Sequence, residues 1–269
     1  MISDFFAGRG LVLQASGSES LRFGFGVSRL LVPVGEAASD RDIAAVVSGS
    51  PSELVIVRAD ERRTDLIRAL RAIDGVECLH ADTLMYYQWS LNRFSTSLPT
   101  ASDVTVTQSK SFDEIAGVLR ESFKEYRNHY SANPRLADSV TVTAYEEWAS
   151  SLMRDGETRT FVARDATDGA VHGFVLLSLD EARQLAEVAL NAVHPDAQRS
   201  GVYSALMRSA AAYLAQLGSI KHLYISTQRE NTAVIAAWQK LGLEPYLTLN
   251  TIHVMRRLAS LRGDTSATP

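Results

Sequence analysis

The stretch LAEVALNAVHPDAQRSGVYSALM, Leu185 to Met207, decides how this chain is read. Leu185 to Val193 alternates as a strand and ends at His194-Pro195. A short polar loop follows, and a long helix is expected to start near Gln198, with Val202, Leu206, Ala210, Tyr213 and Leu217 on one face and Gly218 as its stop. Gly201 falls where that helix begins. The first turn of a helix has backbone N–H groups without intrahelical partners and carries the positive end of the macrodipole. A glycine there lets a phosphate come close to those groups. Gln198-Arg199-Ser200-Gly201-Val202-Tyr203 therefore reads as a pyrophosphate cradle with Arg199 as a nearby cation, although a glycine after a polar loop is also an ordinary helix start.

Upstream of this run lie Val104 to Thr107 as a strand and helical faces at Ile115, Leu119, Phe123 and Tyr126 and from Thr143 to Met153. A hairpin follows, Thr160 to Arg164 and Val171 to Leu179, joined by a Thr167-Asp168-Gly169 turn. Downstream, Leu223-Tyr224-Ile225 reads as a strand and Asn231-Thr232 as a helix start. Val234, Ile235, Trp238 and Leu241 form that helix's apolar face, and Gly242 ends it.

The same order occurs earlier. Leu54 to Val57 is a β-branched strand, the apolar positions 66, 67, 70 and 73 make a helix face, and Gly75 precedes a strand from Val76 to Trp89 with a polar interruption at His80-Ala81-Asp82-Thr83. An offset of 168 carries Thr64 to Thr232, Ile67 to Ile235, Ala69 to Ala237, Leu70 to Trp238 and Ile73 to Leu241, the first three pairs being identical. Amphipathic strand-helix-strand units resemble one another, but the identities favour a degenerate tandem repeat. The boundary between the halves is expected in the polar, Pro99-containing stretch Ser95 to Ser102, which gives a degenerate half over 1–98 and a second domain over 99–269.

Composition narrows the function. The 269 residues are 46% hydrophobic and 22% charged with a net charge of −4, which excludes disorder and argues against nucleic-acid binding by phosphate neutralisation. Cys78, the single cysteine, has no internal disulfide partner and no CxxC companion. No apolar run approaches the ~20 residues of a membrane span, and the beginning Met1-Ile2-Ser3-Asp4-Phe5-Phe6 does not read as a signal peptide, so a cytoplasmic location without membrane contact is expected. No His/Cys/Asp cluster has metal-ligand spacing. Gly24 and Gly26 lack a third glycine at dinucleotide-finger spacing and read as a strand with bulges. The basic stretch Arg256 to Arg262 reads as a solvated chain end.

From about residue 101 to 258 the order strand, Q-x-x-G, amphipathic helix, strand, Asn-initiated helix and last strand resembles the GNAT superfamily of acyl-CoA-dependent N-acyltransferases. Gln198 and Gly201 match the family's pattern, while Tyr203 stands where a small residue is preferred. The resemblance implies an α/β (α+β) GNAT fold, with a mixed, mostly antiparallel central sheet flanked by helices and a degenerate N-terminal GNAT-like half. It implies that an acyl-CoA, acetyl-CoA or another, is the co-substrate, with no metal. The pantetheine arm would lie along the backbone of Asn191, Ala192 and Val193, the pyrophosphate on Gln198, Arg199, Ser200, Gly201, Val202 and Tyr203, and Asn231 would stand near the arm. The thioester carbonyl would be polarised by N–H groups of Asn191 to Val193.

A narrower likeness, to nucleotide-linked amino-sugar N-acyltransferases of the dTDP-fucosamine acetyltransferase type, rests on Ser226 to Ala233, Lys240-Leu241-Gly242, His253 and the His129-Tyr130 and Asn133-Pro134 pairs. It implies acyl transfer, acetyl or hydroxyacyl, to a dTDP-linked amino sugar by direct attack in a ternary complex. His129, Tyr130, Asn133, Gln228 and His253 would contact that acceptor. Other readings are transfer to an antibiotic, a polyamine or a protein amine, or a non-catalytic GNAT-fold binding module. The attacking amine needs a proton acceptor. Glu187 is the first candidate, because it lies on a mostly apolar strand, eleven residues before Gln198, which resembles the spacing of the base in histone-acetylating members. Simple alternation puts it on one face with Ala189, Asn191 and Val193, and pairing with Arg183 or with a helix residue is its structural alternative. His129 is the second candidate, as an imidazole that titrates near neutrality. The position where many members carry a general-acid tyrosine is Trp238, which cannot donate a proton at neutral pH and is expected to pack the core; Tyr203, Tyr224 and Tyr246 remain as substitutes. Acyl length, the particular sugar and homodimer formation stay open.

Overall fold

The structure is a computed structural model that describes residue 2 and residues 10–93, 104–136 and 141–257. The expected domain boundary at Ser95 to Ser102 and most of the basic stretch after Arg256 lie outside the described residues.

The first part of the chain runs β1 (Val12–Ala15), α1 (Gly17–Phe23), β2 (Val27–Leu31), α2 (Asp40–Ser48), β3 (Leu54–Asp60), α3 (Leu66–Arg71) and β4 (Val76–Ser90). The second runs β5 (Val104–Ser109), α4 (Asp113–Phe123), α5 (Val142–Arg154), β6 (Thr158–Asp165), β7 (Val171–Asp180), β8 (Leu185–Val193), α6 (Val202–Leu217), β9 (His222–Gln228), α7 (Thr232–Leu241) and β10 (Glu244–Arg256). All ten strands form one sheet in the order β1-β2-β3-β10-β4-β9-β8-β7-β6-β5. It is mixed and mostly antiparallel; β2–β3 and β8–β9 are its parallel pairs.

Local chemistry sets the element ends. Ser39 and Asp42 close a capping box at the start of α2. Gly242 ends α7 in the left-handed conformation at φ 87°, a region costly for residues with a Cβ. Gly24, expected in a bulged strand, does the same job for α1 at φ 74°, so Phe23-Gly24-Phe25-Gly26 is a helix end leading into β2.

The repeat is visible in the sheet. The offset of 168 carries β3 onto β9 at both ends. Leu249 of β10 faces Asp60 of β3, and in the same way Leu84 of β4 faces Gln228 of β9. β10 therefore lies between β3 and β4, and β4 between β10 and β9. The polar interruption in β4 does not break it. Ala81 is the extra residue of a bulge, and Tyr246 is its counterpart in β10.

One sheet face packs α2 and α3 over β2, β3 and the end of β10, and α6 and α7 over β4 and β7 to β9. The opposite face packs α4 and α5 over β6 to β8. Between these last two helices a 3-10 turn at His129–Ala132 leads to Leu136, and Tyr130 and Leu136 rest on Val27, Leu54, Ile56 and Met255. The α4–α5 connection thus covers strands of the first half.

Candidate active site

β8 carries a bulge at its centre. Leu176 faces Leu190 and Leu177 faces Val188, so Ala189 is the extra residue. Alternation restarts after it. Ala186, Val188 and Val193 pack toward α6, whereas Leu190 and Ala192 pack toward α4. The expectation that Glu187 shares a face with Asn191 and Val193 is thereby corrected: the bulge re-phases the strand, and Glu187 faces the side of Leu190 and Ala192.

β8 and β9 also part at this point. Their parallel ladder covers Leu185–Val188 against His222–Ile225 and stops there. Beyond it, no ladder joins Ala189–Val193 to Ser226–Gln228, so β8 has backbone polar groups there without β9 as partner, and Ser122 Oγ donates to one of them, Val193 O, at 3.2 Å.

At the open end of β8 the chain makes a 3-10 turn, Pro195–Ala197, and α6 starts at Val202, later than the expected Gln198. Gln198, Arg199, Ser200 and Gly201 form an exposed loop ahead of the helix. Arg199 (φ 62°) and Gly201 (φ 88°) are both left-handed, and no side chain caps α6. Ser200 Oγ instead donates to Ala197 O at 2.6 Å, which fixes the loop. Backbone N–H groups in such a loop, ahead of a 16-residue helix, are of the kind that can form an anion nest. Val202 is buried beneath it.

Tyr203 does not obstruct the nest. Its ring packs against the α6–α7 core, and its hydroxyl accepts the Trp238 indole N–H at 2.6 Å. Trp238 is 1% exposed and lies edge-on to Tyr87, as expected of a core residue. Burial raises the Tyr203 pKa, so the phenol keeps its proton. Asn231 precedes α7, half-buried, and donates from Nδ2 to Thr227 Oγ1 at 3.1 Å.

Glu187 is 8% exposed, and its Oε2 accepts the Ile2 N–H at 2.7 Å. The pairing with Arg183 does not form; Arg183 donates to Asp180 at 2.6 Å, across the turn that joins β7 to β8. Glu187 alternates with Leu185, which packs with Tyr86 and Tyr224, so its carboxylate and those rings belong to the same sheet face.

Of the residues expected at the acceptor, His129, Tyr130 and Asn133 belong to the α4–α5 connection, and His253 of β10 lies beneath it. His129 Nδ1 is 2.8 Å from His253 Nε2, and Asn133 Nδ2 is 3.2 Å from His253 Nδ1. With the Asn133 amide donating to Nδ1, His253 carries its proton on Nε2 and donates to His129, whose own proton then sits on Nε2. Neutral His129 so arranged has no lone pair left to accept a proton. Burial first, then nearby Arg58, holds its pKa well below the ordinary value. His253 lies within β10 opposite Ile56 and Leu79, not at a strand end, and burial lowers it to about 4. Tyr130 donates its hydroxyl proton to Glu19 and accepts from Arg29 Nη2 at 3.0 Å. At Gln228, Tyr126 donates to Oε1 at 3.0 Å, and Nε2 donates to Arg127 O at 3.1 Å.

Sequence reasoning passed over one residue here. Asp82, in the polar interruption of β4, is 8% exposed, and its Oδ1 has no hydrogen-bond partner among the described residues. Burial raises its pKa, while Thr251, Arg58, Gln228 and His80 pull it down in part. The signal available was a carboxylate inside the polar interruption of a strand whose neighbours on either side are apolar. Among the described residues, no group of three or more His, Cys, Asp or Glu could hold a metal ion, and no helix is long and apolar enough to cross a membrane.

Residues 118–243 match the family model of the acetyltransferase (GNAT) family. The solved structures that resemble this chain include a GCN5-related N-acetyltransferase from Sphaerobacter thermophilus, 12% identical with a TM-score of 0.64, covering 93% of this chain and 78% of that one. A GCN5-related N-acetyltransferase from Kribbella flavida is 13% identical with a TM-score of 0.53, covering 97% and 94%. A tandem GNAT protein from the clavulanic acid biosynthesis pathway is 15% identical with a TM-score of 0.55, covering 87% and 76%. No curated protein matches the sequence significantly. The chain has the GNAT acyltransferase fold, and its residues 118–243 carry that family's sequence pattern.

Proposed function

We propose that the chain is an acyl-CoA-dependent N-acyltransferase that acts on a primary amine by direct attack in a ternary complex. The observation that carries this reading is the parting of β8 and β9 at the Ala189 bulge, in line with the exposed nest ahead of α6. An acyl-CoA bound there would supply the activated acyl group as a thioester. The nest at Gln198 to Val202 suits its pyrophosphate, and the open backbone edge of Asn191 to Val193 suits an extended amide-bearing arm. Tyr203 and Trp238, tied to each other, link the helices that follow β8 and β9.

The amine approaches from the sheet face that carries Glu187. Glu187 is the proton acceptor in this reading, because it stands two residues before the bulge and on that face. His129 is not, since its Nδ1 is engaged by His253. The nucleotide-linked amino sugar is the finer acceptor expectation and rests on the sequence likeness alone. The side chains that likeness assigns, His129, Tyr130, Asn133 and His253, are engaged with one another and with Glu19, Arg29 and Met255.

Two measurements test the reading. Calorimetric titration of acetyl-CoA should show one site per chain, and Gly201→Val should weaken it at least tenfold; wild-type protein that does not bind would sink the proposal. Once an acceptor is in hand, Glu187→Gln should lower kcat tenfold or more at pH 7 and less at pH 9, where the amine loses its proton to solvent. The Gln carbonyl still accepts the Ile2 N–H. An equal loss at both pH values removes Glu187 as the base.

A further inference from the structure

At the centre of the sheet three polar residues stand in one row. Thr251 of β10 is directly opposite Arg58 on β3 and directly opposite Asp82 on β4. Directly opposed residues project to the same side of the sheet, so all three side chains share a face. It is the face of Glu187, because Asp82 alternates with Leu84 and Tyr86, and Tyr86 packs with Leu185. Thr251 is fully buried and Asp82 nearly so. Arg58 Nε, Thr251 Oγ1 and Asp82 Oδ1 are buried and have no partner at ordinary hydrogen-bond geometry among the described residues, although Thr251 and Arg58 stand near enough to Asp82 to lower its pKa.

Buried polar groups are almost always satisfied, so three orphans in one row are unusual. Their chemistry is also ordered along the row. Arg58 offers an N–H from a permanent cation, Thr251 a hydroxyl that can donate or accept, and Asp82 a carboxylate oxygen that only accepts. A group that satisfies the Arg58 end must be an acceptor, best an anion. A group that satisfies the Asp82 end must be a donor, best an ammonium.

We infer that the row Arg58–Thr251–Asp82 binds a small zwitterion of the amino-acid class, its acidic group on Arg58 and its ammonium on Asp82. This site does not depend on the acyltransferase reading, because the row lies six residues along β4 from the row of Glu187. The surroundings suit an amine with an apolar body. Gln228, next along this face, is held by Tyr126, which lies edge-on to Phe123 and Tyr145. A dianionic nucleotide finds at the row a single cation and an opposing carboxylate. The opposite signs at the two ends select against plain polyamines and plain acids alike.

The test is calorimetric titration of the full chain, with and without acetyl-CoA, against L-amino acids and the amines that lack their carboxylate, such as L-phenylalanine beside phenethylamine. At least one amino acid should bind tenfold or more tightly than its matching amine. Arg58→Gln should erase that difference, and Asp82→Asn should weaken both ligands at least tenfold. Thr251→Val, which removes only the central hydroxyl, gives a second variant should Asp82→Asn unfold, with a several-fold loss expected. Amines that bind as tightly as their amino acids would overturn the zwitterion assignment, as would an absence of amino-acid binding in protein that still binds acetyl-CoA. Loss of acetyl-CoA binding alone would strike the acyltransferase reading and leave the row to be judged by the acetyl-CoA-free titrations.

Discussion

Tyr203 and Trp238 each depart from the pattern that the likeness to GNAT sequences implies, and the two departures meet. A tyrosine in the first turn of α6 and an indole on α7 form one buried hydrogen bond, Trp238 Nε1 to Tyr203 Oη. Removing one partner leaves the other unsatisfied, which costs about 1–3 kcal/mol, whereas removing both is nearly neutral. Trp238→Phe should therefore lower the urea-denaturation stability by more than the lost ring volume alone, and adding Tyr203→Phe should recover part of the loss. A double-mutant cycle with no coupling would show that the bond does not stabilise the fold. Sequence alone made each residue look like an isolated oddity. Neither position reveals the other, because they are brought together only where α6 packs on α7.

At the scale of elements, the α4–α5 connection is a polar pad with titratable groups buried beneath it. Glu19, 3% exposed, would be raised by burial, but the hydrogen bonds and charge of Arg29, with Ser16 and Tyr130, bring it to about 2. His253 is lowered to about 4, chiefly by burial. Both shifts make the unfolded chain bind more protons than the folded one, so stability falls with acid. The histidine contribution is lost from about pH 6.5 down to about 4, and the Glu19 contribution from about 4.5 down to about 2. Urea midpoints between pH 7 and 4 should fall steadily, and His253→Gln should make that fall shallower, with buried His129 supplying the remainder, while leaving the lower window. A pH-independent midpoint over 7 to 4 would contradict the buried histidine pair. The β8 bulge belongs to this scale too. It changed the face of every residue after Ala189, and a β-strand sequence does not announce a bulge, because the extra residue is defined against the partner strand β7.

For the whole molecule the decisive feature is the exchange of strands at the sheet centre. β10 satisfies its backbone against both β3 and β4, and β9 leans on β4. Chain 99–269 expressed alone lacks β3 and β4 and leaves β9 and β10 with unpaired edges. It should lack a cooperative unfolding transition, and co-expression with 1–98 should restore one. A separately folded, cooperatively melting 99–269 would show that the halves are independent domains. The two-halves reading came from five positions at a constant offset, and the structure extends that offset to the full bounds of β3 and β9.

What the sequence determined by itself follows from local rules. Strand alternation, helix faces, the Gly218 and Gly242 stops, and a glycine-marked loop ahead of α6 each depend on residues a few positions apart. That was enough for the fold class and for the repeat. Tertiary structure alone decided the phase of β8, the engagement of His129 with His253 and the alignment of Arg58, Thr251 and Asp82. Those three come from positions far apart in the chain and share one row because β10 is threaded between β3 and β4. No local pattern encodes that neighbourhood; cross-strand register does.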